Sequence, residues 1–263
     1  MSIKFSVEFF PPAEELFQET CNTIKEYVQN FPIQRISITH GAAGSKKDKS
    51  LAFINTIIEK NIIEPQNITA HLSCAGLEKS EVLNYVEKFY NTGIREILVI
   101  KGDPTAIQVQ NGYNNTSEAI TDIKKQFPRI KIVAACFPEP RHGVTDEIAI
   151  LNEKIAGGAD RFISQFCFEN HFFEDFQQKI KANNVTNEIT VGLIIPSKQT
   201  LGFAQKCYAK IPESVFKLAE SEEKAVNFVV EQLHFLEKIG YNSTHLYSLN
   251  KPAFIKVLKQ YLK

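Results

Sequence analysis

Eight short runs rich in Val, Ile and Phe recur along this chain with longer helix-patterned stretches between them, and no other feature restricts the fold as much. The runs are Ile3 to Phe10, Arg35 to Ala42, Ile68 to Cys74, Glu96 to Asp103, Lys131 to Phe137, Arg161 to Cys167, Ile189 to Ile195 and Thr244 to Asn250. The first four begin at Ile3, Arg35, Ile68 and Glu96, a spacing of about 30 residues that suits one strand, one helix and two loops. Between them, Val82, Tyr85, Val86 and Phe89 fall at helical spacing, so Glu81 to Tyr90 is expected to be an amphipathic helix with Lys79, Glu87 and Lys88 outward. Glu222 to Ile239 is expected to be the longest helix, with Gly240 as its C-cap, and Asp103 to Thr116 reads as a loop with Asn-Gly turn chemistry. Strands alternating with helices pair in parallel. An open doubly wound sheet alternates in the same way, but eight successive units favour closure, which removes both sheet edges. The expected architecture is α/β, a single (β/α)8 TIM barrel over residues 1–263, close to the roughly 250 residues usual for that fold.

Bulk properties narrow the function classes. Thirty basic and thirty acidic residues cancel, so no global field favours nucleic acid or an anionic membrane, and an anionic ligand must be held locally. The five cysteines, Cys21, Cys74, Cys136, Cys167 and Cys207, form no CxxC pair, which suggests a reducing compartment. MSIKFSVEFFPP is unlike a signal peptide and no apolar run is long enough to span a bilayer, so the expectation is a soluble, cytoplasmic protein with no membrane partner. His71 and Cys74 have HxxC spacing without a second ligand pair, and no metal is expected. Neither GxGxxG nor a P-loop occurs. HGAAGS, from His40 to Ser45, allows close ligand approach and equally a tight turn.

Polar residues fall on one face of several strands. In the first, Ile3, Phe5, Val7 and Phe9 share a side, while Lys4, Ser6 and Glu8 share the other and would point into a barrel near its C-terminal rim. Ser37 pairs with Thr39 in this sense, as do Thr69, His71 and Ser73; Lys101 and Asp103 close the fourth strand, and Gln165 interrupts an apolar sixth one. An inward carboxylate must be solvated, paired or met by a ligand. Glu8 is therefore a candidate acid, the alternative being an internal ion pair with Lys4 or Lys101. Each of the others has the alternative of a core polar residue satisfied by backbone.

FSVEFFPP, SITHGAAGS, AHLSCAG, NTGIREILVIKGDP, AACFPE, EKIAGGADRFISQFCFE and LYSLNK resemble, in content and order, the methylenetetrahydrofolate reductases. That resemblance implies a flavoenzyme: NADH or NADPH passes a hydride to FAD, which passes it to the methylene carbon of 5,10-methylenetetrahydrofolate, giving 5-methyltetrahydrofolate. It implies that Glu8 protonates the folate so that its imidazolidine ring opens to an iminium, a task for a carboxyl group with a raised pKa. Asp103 resembles an acidic residue near the flavin pyrimidine edge, and Gln165 the pterin-binding amide. Thr39, His40, His71, Lys101, Gly102, Phe137, Glu147 and Lys154 match positions that hold FAD, with Lys154 toward the diphosphate; Phe203 and Tyr247 are the further substrate-binding candidates. His40, Lys101, Phe137 and Glu147 depart from the family's usual Tyr, Arg, Tyr and Asp. The alternatives are a non-redox folate-binding or methyl-transfer barrel and a flavin-independent reductase. Homo-oligomerisation is left open.

Overall fold

The structure, a computed structural model, describes residues 3–40, 48–102, 109–141, 143–144 and 146–263. Its eight strands are β1 (Lys4–Phe9), β2 (Ile33–Ile38), β3 (Ile68–Ser73), β4 (Glu96–Ile100), β5 (Lys131–Cys136), β6 (Arg161–Ser164), β7 (Glu188–Leu193) and β8 (Ser243–Tyr247). All pair in parallel, each with its neighbours in the chain, and β8 returns to pair with β1, so the sheet closes as a (β/α)8 barrel. The helices between and after them are α1 (Phe17–Asn30), α2 (Asp48–Glu59), α3 (Lys79–Asn91), α4 (Thr116–Gln126), α5 (Glu147–Gly157), α6 (Asn170–Ala182), α7 (Lys198–Lys206), α8 (Glu213–Leu218), α9 (Glu222–Ile239) and α10 (Phe254–Tyr261).

Local chemistry sets these boundaries. Glu78 and Glu81 form a reciprocal capping box that starts α3, and Asp146 caps α5 by accepting from Ala149 N at 3.0 Å. The expected helix from Glu222 to Ile239 is found as α9, with Ser221 as N-cap and Gly240 in the left-handed region at φ 99°. Several strands are shorter than their apolar runs: β2, β4, β6 and β8 end at Ile38, Ile100, Ser164 and Tyr247. Apolar continuity reports burial, not pairing. Phe166, Cys167 and Phe168, past the end of β6, are buried in the rim rather than bonded in the ladder.

The core has two parts because each strand has two faces. Outward residues such as Phe5, Val7, Phe9, Ile36, Ile38, Ala70 and Leu72 pack beneath the helices. Inside, the N-terminal end is plugged by ions: Glu96 takes Arg161 Nη2 and Nε at 2.6 and 3.0 Å and Thr69 Oγ1 at 2.5 Å, and Arg35 Nε stands 3.6 Å away. Burial raises the Glu96 carboxyl, but the Arg161 fork, Arg35 and Thr69 outweigh it and hold it below its ordinary range. Leu98, Val133 and Ile163 form a small apolar cluster inside the barrel. Among the described residues no helix is long and apolar enough to cross a membrane, and no group of three His, Cys, Asp or Glu side chains could hold a metal.

Candidate active site

The C-terminal mouth of the barrel gathers polar groups from β1, β3 and β8. Glu8, on β1, is 5% exposed and has His71 Nε2 (β3) and His245 Nε2 (β8) each 3.7 Å from Oε2. That separation is too long for a direct hydrogen bond. Both Nε2 atoms are buried without a hydrogen-bond partner among the described residues. On its other side the His245 ring is tied down, with Nδ1 2.8 Å from Ser6 Oγ. Burial raises the Glu8 carboxyl, the neighbouring His71 only partly opposing it. Burial also pushes His71 down to about 4, with Glu8 acting against the shift, and His245 down to about 3, helped by the charge of Arg161. Burial thus favours the protonated form of the carboxyl and the neutral form of both imidazoles. The alternative of a Glu8 ion pair with Lys4 or Lys101 is not what forms, since both lysines are exposed and the histidines are the neighbours.

An aromatic wall borders this carboxyl. The Tyr247 hydroxyl donates to Ser164 O at 3.0 Å, and its ring meets His245 edge-on at 4.9 Å and Phe166 at 5.2 Å. Gly192, on β7, makes that placement possible: a Cβ there would lie 2.4 Å from Ser164 O and 2.6 Å from Tyr247 Cε2. Phe203, on α7, packs between Phe166 at 6.1 Å and Phe10 at 6.2 Å, which carries it to the rim above β1 and β6. The α7 helix is fixed there by a capping box in which Ser197 Oγ accepts from Thr200 N at 3.2 Å. Gln165 Oε1 accepts from Phe166 N at 3.1 Å.

The β2 to β5 side carries the remaining candidates. Thr39 Oγ1 is buried with no hydrogen-bond partner among the described residues. His40 instead packs into the helical layer, edge-on to Tyr85 of α3 at 4.8 Å, with Nδ1 accepting from Ser73 N at 3.2 Å. Lys101 is exposed at the end of β4, and the adjacent Gly102 has φ 86° and passes so close to Ser73 that a Cβ would sit 2.1 Å from its Oγ. Beyond β5, the Arg141 guanidinium lies 3.5 Å from the Phe137 ring centroid and binds Glu147 Oε2 at 2.6 Å, while Glu147 Oε1 accepts from Phe137 N at 3.1 Å. Lys154 is buried and donates to Ala135 O at 2.7 Å; burial lowers its pKa against the pull of Glu147. Asp103 lies outside the described residues.

Two groups of this site escape the sequence reading. His245 shares a face of β8 with Tyr247, so the same two-residue rule that places Glu8 inward would have found it. Arg141 had no such signal, because it lies in a loop where direction has no period.

A closed parallel barrel with a buried acid in its C-terminal mouth defines an enzyme of the TIM-barrel class. The family model described as methylenetetrahydrofolate reductase matches residues 1–262. The chain belongs to that family, whose reductases are oxidoreductases. It is 24% identical over 263 residues to the 5,10-methylenetetrahydrofolate reductase of Pectobacterium carotovorum subsp. carotovorum, covering 95% of this chain and 86% of that one. The corresponding Escherichia coli (strain K12) protein is 25% identical, with 95% and 87% covered. Methylenetetrahydrofolate reductase (NADH) 1 of Arabidopsis thaliana is 26% identical over 280 residues, which cover 94% of this chain and 46% of the plant protein. Among solved structures, an uncharacterized Clostridium thermocellum protein that binds two copies of 5-methyl-5,6,7,8-tetrahydrofolic acid shares the fold, with a TM-score of 0.72, 16% identity, and 99% of this chain and 96% of that one covered.

Proposed function

We propose that this protein reduces 5,10-methylenetetrahydrofolate to 5-methyltetrahydrofolate, using NADH or NADPH as reductant through FAD, with Glu8 as the general acid. The observation that carries this reading is the convergence on Glu8 of two buried imidazole nitrogens without partners, in the mouth of a barrel of this family. Buried polar groups in native proteins are satisfied, so two unpartnered imidazole nitrogens that meet beside a buried carboxyl mark where a polar ligand completes them. A pterin, with ring nitrogens and an amide edge, has that chemistry. Glu8 holds the proton that opening of the imidazolidine ring consumes, and the neutral histidines do not compete for it. The wall of Tyr247, Phe166 and Phe203 gives flat surfaces for stacking.

The residues present also fit FAD. Thr39 offers a buried hydroxyl without a partner, and the Arg141 Nε lacks a hydrogen-bond partner among the described residues. Hydroxyl and guanidinium donors suit the ribityl chain and diphosphate. We assign Thr39, His71, Lys101, Gly102, Phe137, Glu147 and Lys154 to this side, adding Arg141, and keep His40 as support behind His71 and Asp103 as the acid near the flavin pyrimidine. When bound, FAD would carry the hydride between nucleotide and folate. The binding of a methyltetrahydrofolate by the Clostridium thermocellum neighbour supports a folate for a barrel of this shape.

The visible absorption spectrum of the purified protein tests the reading. A flavin band that bleaches with NADH or NADPH in the absence of oxygen, and returns on adding methylenetetrahydrofolate, is the expected result. A colourless protein that binds no added flavin overturns it in favour of direct hydride transfer or a non-redox folate-binding barrel.

A further inference from the structure

The exit of β1 is held on one side by β2, where Thr39 N donates to Phe9 O at 3.1 Å, and on the other by side chains past the end of the β8 ladder. The last pair of the ladder is Glu8 with Tyr247. Past it, Ser248 Oγ donates to Glu8 O at 2.5 Å, Asn250 Oδ1 accepts from Phe10 N at 2.7 Å, and Asn250 Nδ2 donates to Phe10 O at 2.8 Å. A primary amide presents the same acceptor and donor as a peptide unit, so Asn250 satisfies both backbone groups of Phe10 as a further strand residue would. Pro11 and Pro12 follow and have no N–H, which makes the Phe10 amide the last donor able to anchor this exit.

The clamp is built against a local conformational cost. Leu249 and Asn250 both lie in the left-handed region, at φ 49° and 61°. A leucine seldom adopts that region, and such conformations persist only where their surroundings over-determine them. The next residue is anchored as well: the buried Tyr27 hydroxyl donates to Lys251 O at 2.9 Å. The polar side chains of Ser248 and Asn250 thus serve the backbone on either side of Phe9.

We infer that Ser248 and Asn250 are positioning residues for Glu8, setting the depth of its carboxyl between His71 and His245 by fixing the backbone from Glu8 to Phe10. The inference rests on Glu8 being the acid. A carboxyl carried on a frayed strand end would sample positions out of line with the folate nitrogen, and a misplacement of about 1 Å is enough to cost about 100-fold in rate.

Asn250→Gly tests this, because glycine takes the left-handed backbone with ease while both side-chain bonds disappear. The expected result has three parts. Deuterium exchange at the Phe10 amide accelerates in the cofactor-free protein. The folate half-reaction slows by about 10- to 100-fold and the alkaline limb of its pH profile moves. Oxidation of nucleotide by a quinone acceptor keeps its rate. Should the glycine variant fail to fold, Asn250→Asp keeps the acceptor for Phe10 N but sets an acceptor against Phe10 O, and the same readouts apply. Unchanged Phe10 exchange, or an equal fall in both half-reactions with an unmoved pH profile, overturns the inference. Glu8→Gln separates the two claims: normal folate reduction in that variant brings down the reading of Glu8 and this inference together, whereas a crippled Glu8→Gln beside a kinetically normal Asn250→Gly removes the clamp alone.

Discussion

His245 Nε2 stands 3.7 Å from Glu8 Oε2 while Nδ1 of the same ring lies 2.8 Å from Ser6 Oγ, so one fully buried ring bridges two inward residues of β1. The Ser6 hydroxyl is oriented in turn by Thr244 O at 3.4 Å. With its pKa pushed down to about 3, the ring is neutral and carries one proton, whose location depends on the direction of the Ser6 bond.

Ser6→Ala should therefore slow folate reduction without affecting nucleotide oxidation, because the alanine releases the tautomer of His245 but leaves Glu8 in place. A cost of one hydrogen bond to the ring, about 1 kcal/mol, corresponds to roughly a fivefold loss. Single-turnover reoxidation of reduced enzyme by methylenetetrahydrofolate measures it. An unchanged rate would show that the ring takes no orientation from Ser6.

Glu8→Gln should separate stability from chemistry. Glu8 is buried and its carboxyl is raised by that burial, so near neutral pH the amide removes a group whose charged form is costly, and the melting temperature should hold or rise. Folate reduction should fall by about 100- to 10,000-fold, the usual worth of a general acid. Calorimetry beside single-turnover kinetics checks both; a melting temperature several degrees lower would mean that the carboxylate is a structural partner of the two histidines.

The histidines make stability depend on pH in one direction. His71 and His245 have folded values of about 4 and about 3, below the ordinary 6.5, so the unfolded chain takes up protons that the folded chain refuses. Their contribution is fully present above about pH 6.5 and is lost as pH falls toward 4 and then 3, at up to about 1.4 kcal/mol per pH unit for each ring. Glu8 acts in the opposite sense, its contribution being present below 4.5 and lost as pH rises through its raised folded value. Urea denaturation between pH 4.5 and 7.5 should show His71→Asn with a shallower decline on the acid side than the parent protein. Parallel curves would contradict the buried neutral state.

The ion plug at the far end of the barrel should matter to folding and not to catalysis. Removing Glu96 leaves Arg161 and Arg35 facing each other with no carboxylate between them, the situation in which breaking a buried pair costs about 3–5 kcal/mol. Glu96→Ala should lower the urea midpoint accordingly while leaving the substrate KM of the folded fraction unchanged. A loss below about 1 kcal/mol would place this network in the class of weak surface pairs.

Gly192→Ala should raise the KM for folate. The added methyl meets Ser164 O at 2.4 Å and the Tyr247 ring at 2.6 Å, and a ring can swing where a strand carbonyl cannot. Overpacking of this kind costs about 1–3 kcal/mol, and the Tyr247 displacement should appear as weaker folate binding with nucleotide oxidation intact. Equal loss of both would assign the glycine to strand packing alone.

The chain's own pattern determined the eight strands, their parallel closure, the long helix from Glu222 to Ile239 and the inward face of β1 that carries Glu8, because periodicity of two and of about four residues is a local property of the backbone. What Glu8 would meet was decided by the tertiary structure. Lys4 and Lys101, the partners of the alternative reading, are exposed, and His71 and His245 arrive from strands β3 and β8. Residues 237 positions apart in sequence become neighbours only when the barrel closes, and no local rule carries that information. The same closure turns SLNK from a motif into a clamp, since Asn250 can mimic a strand only where the strand it mimics has ended beside it.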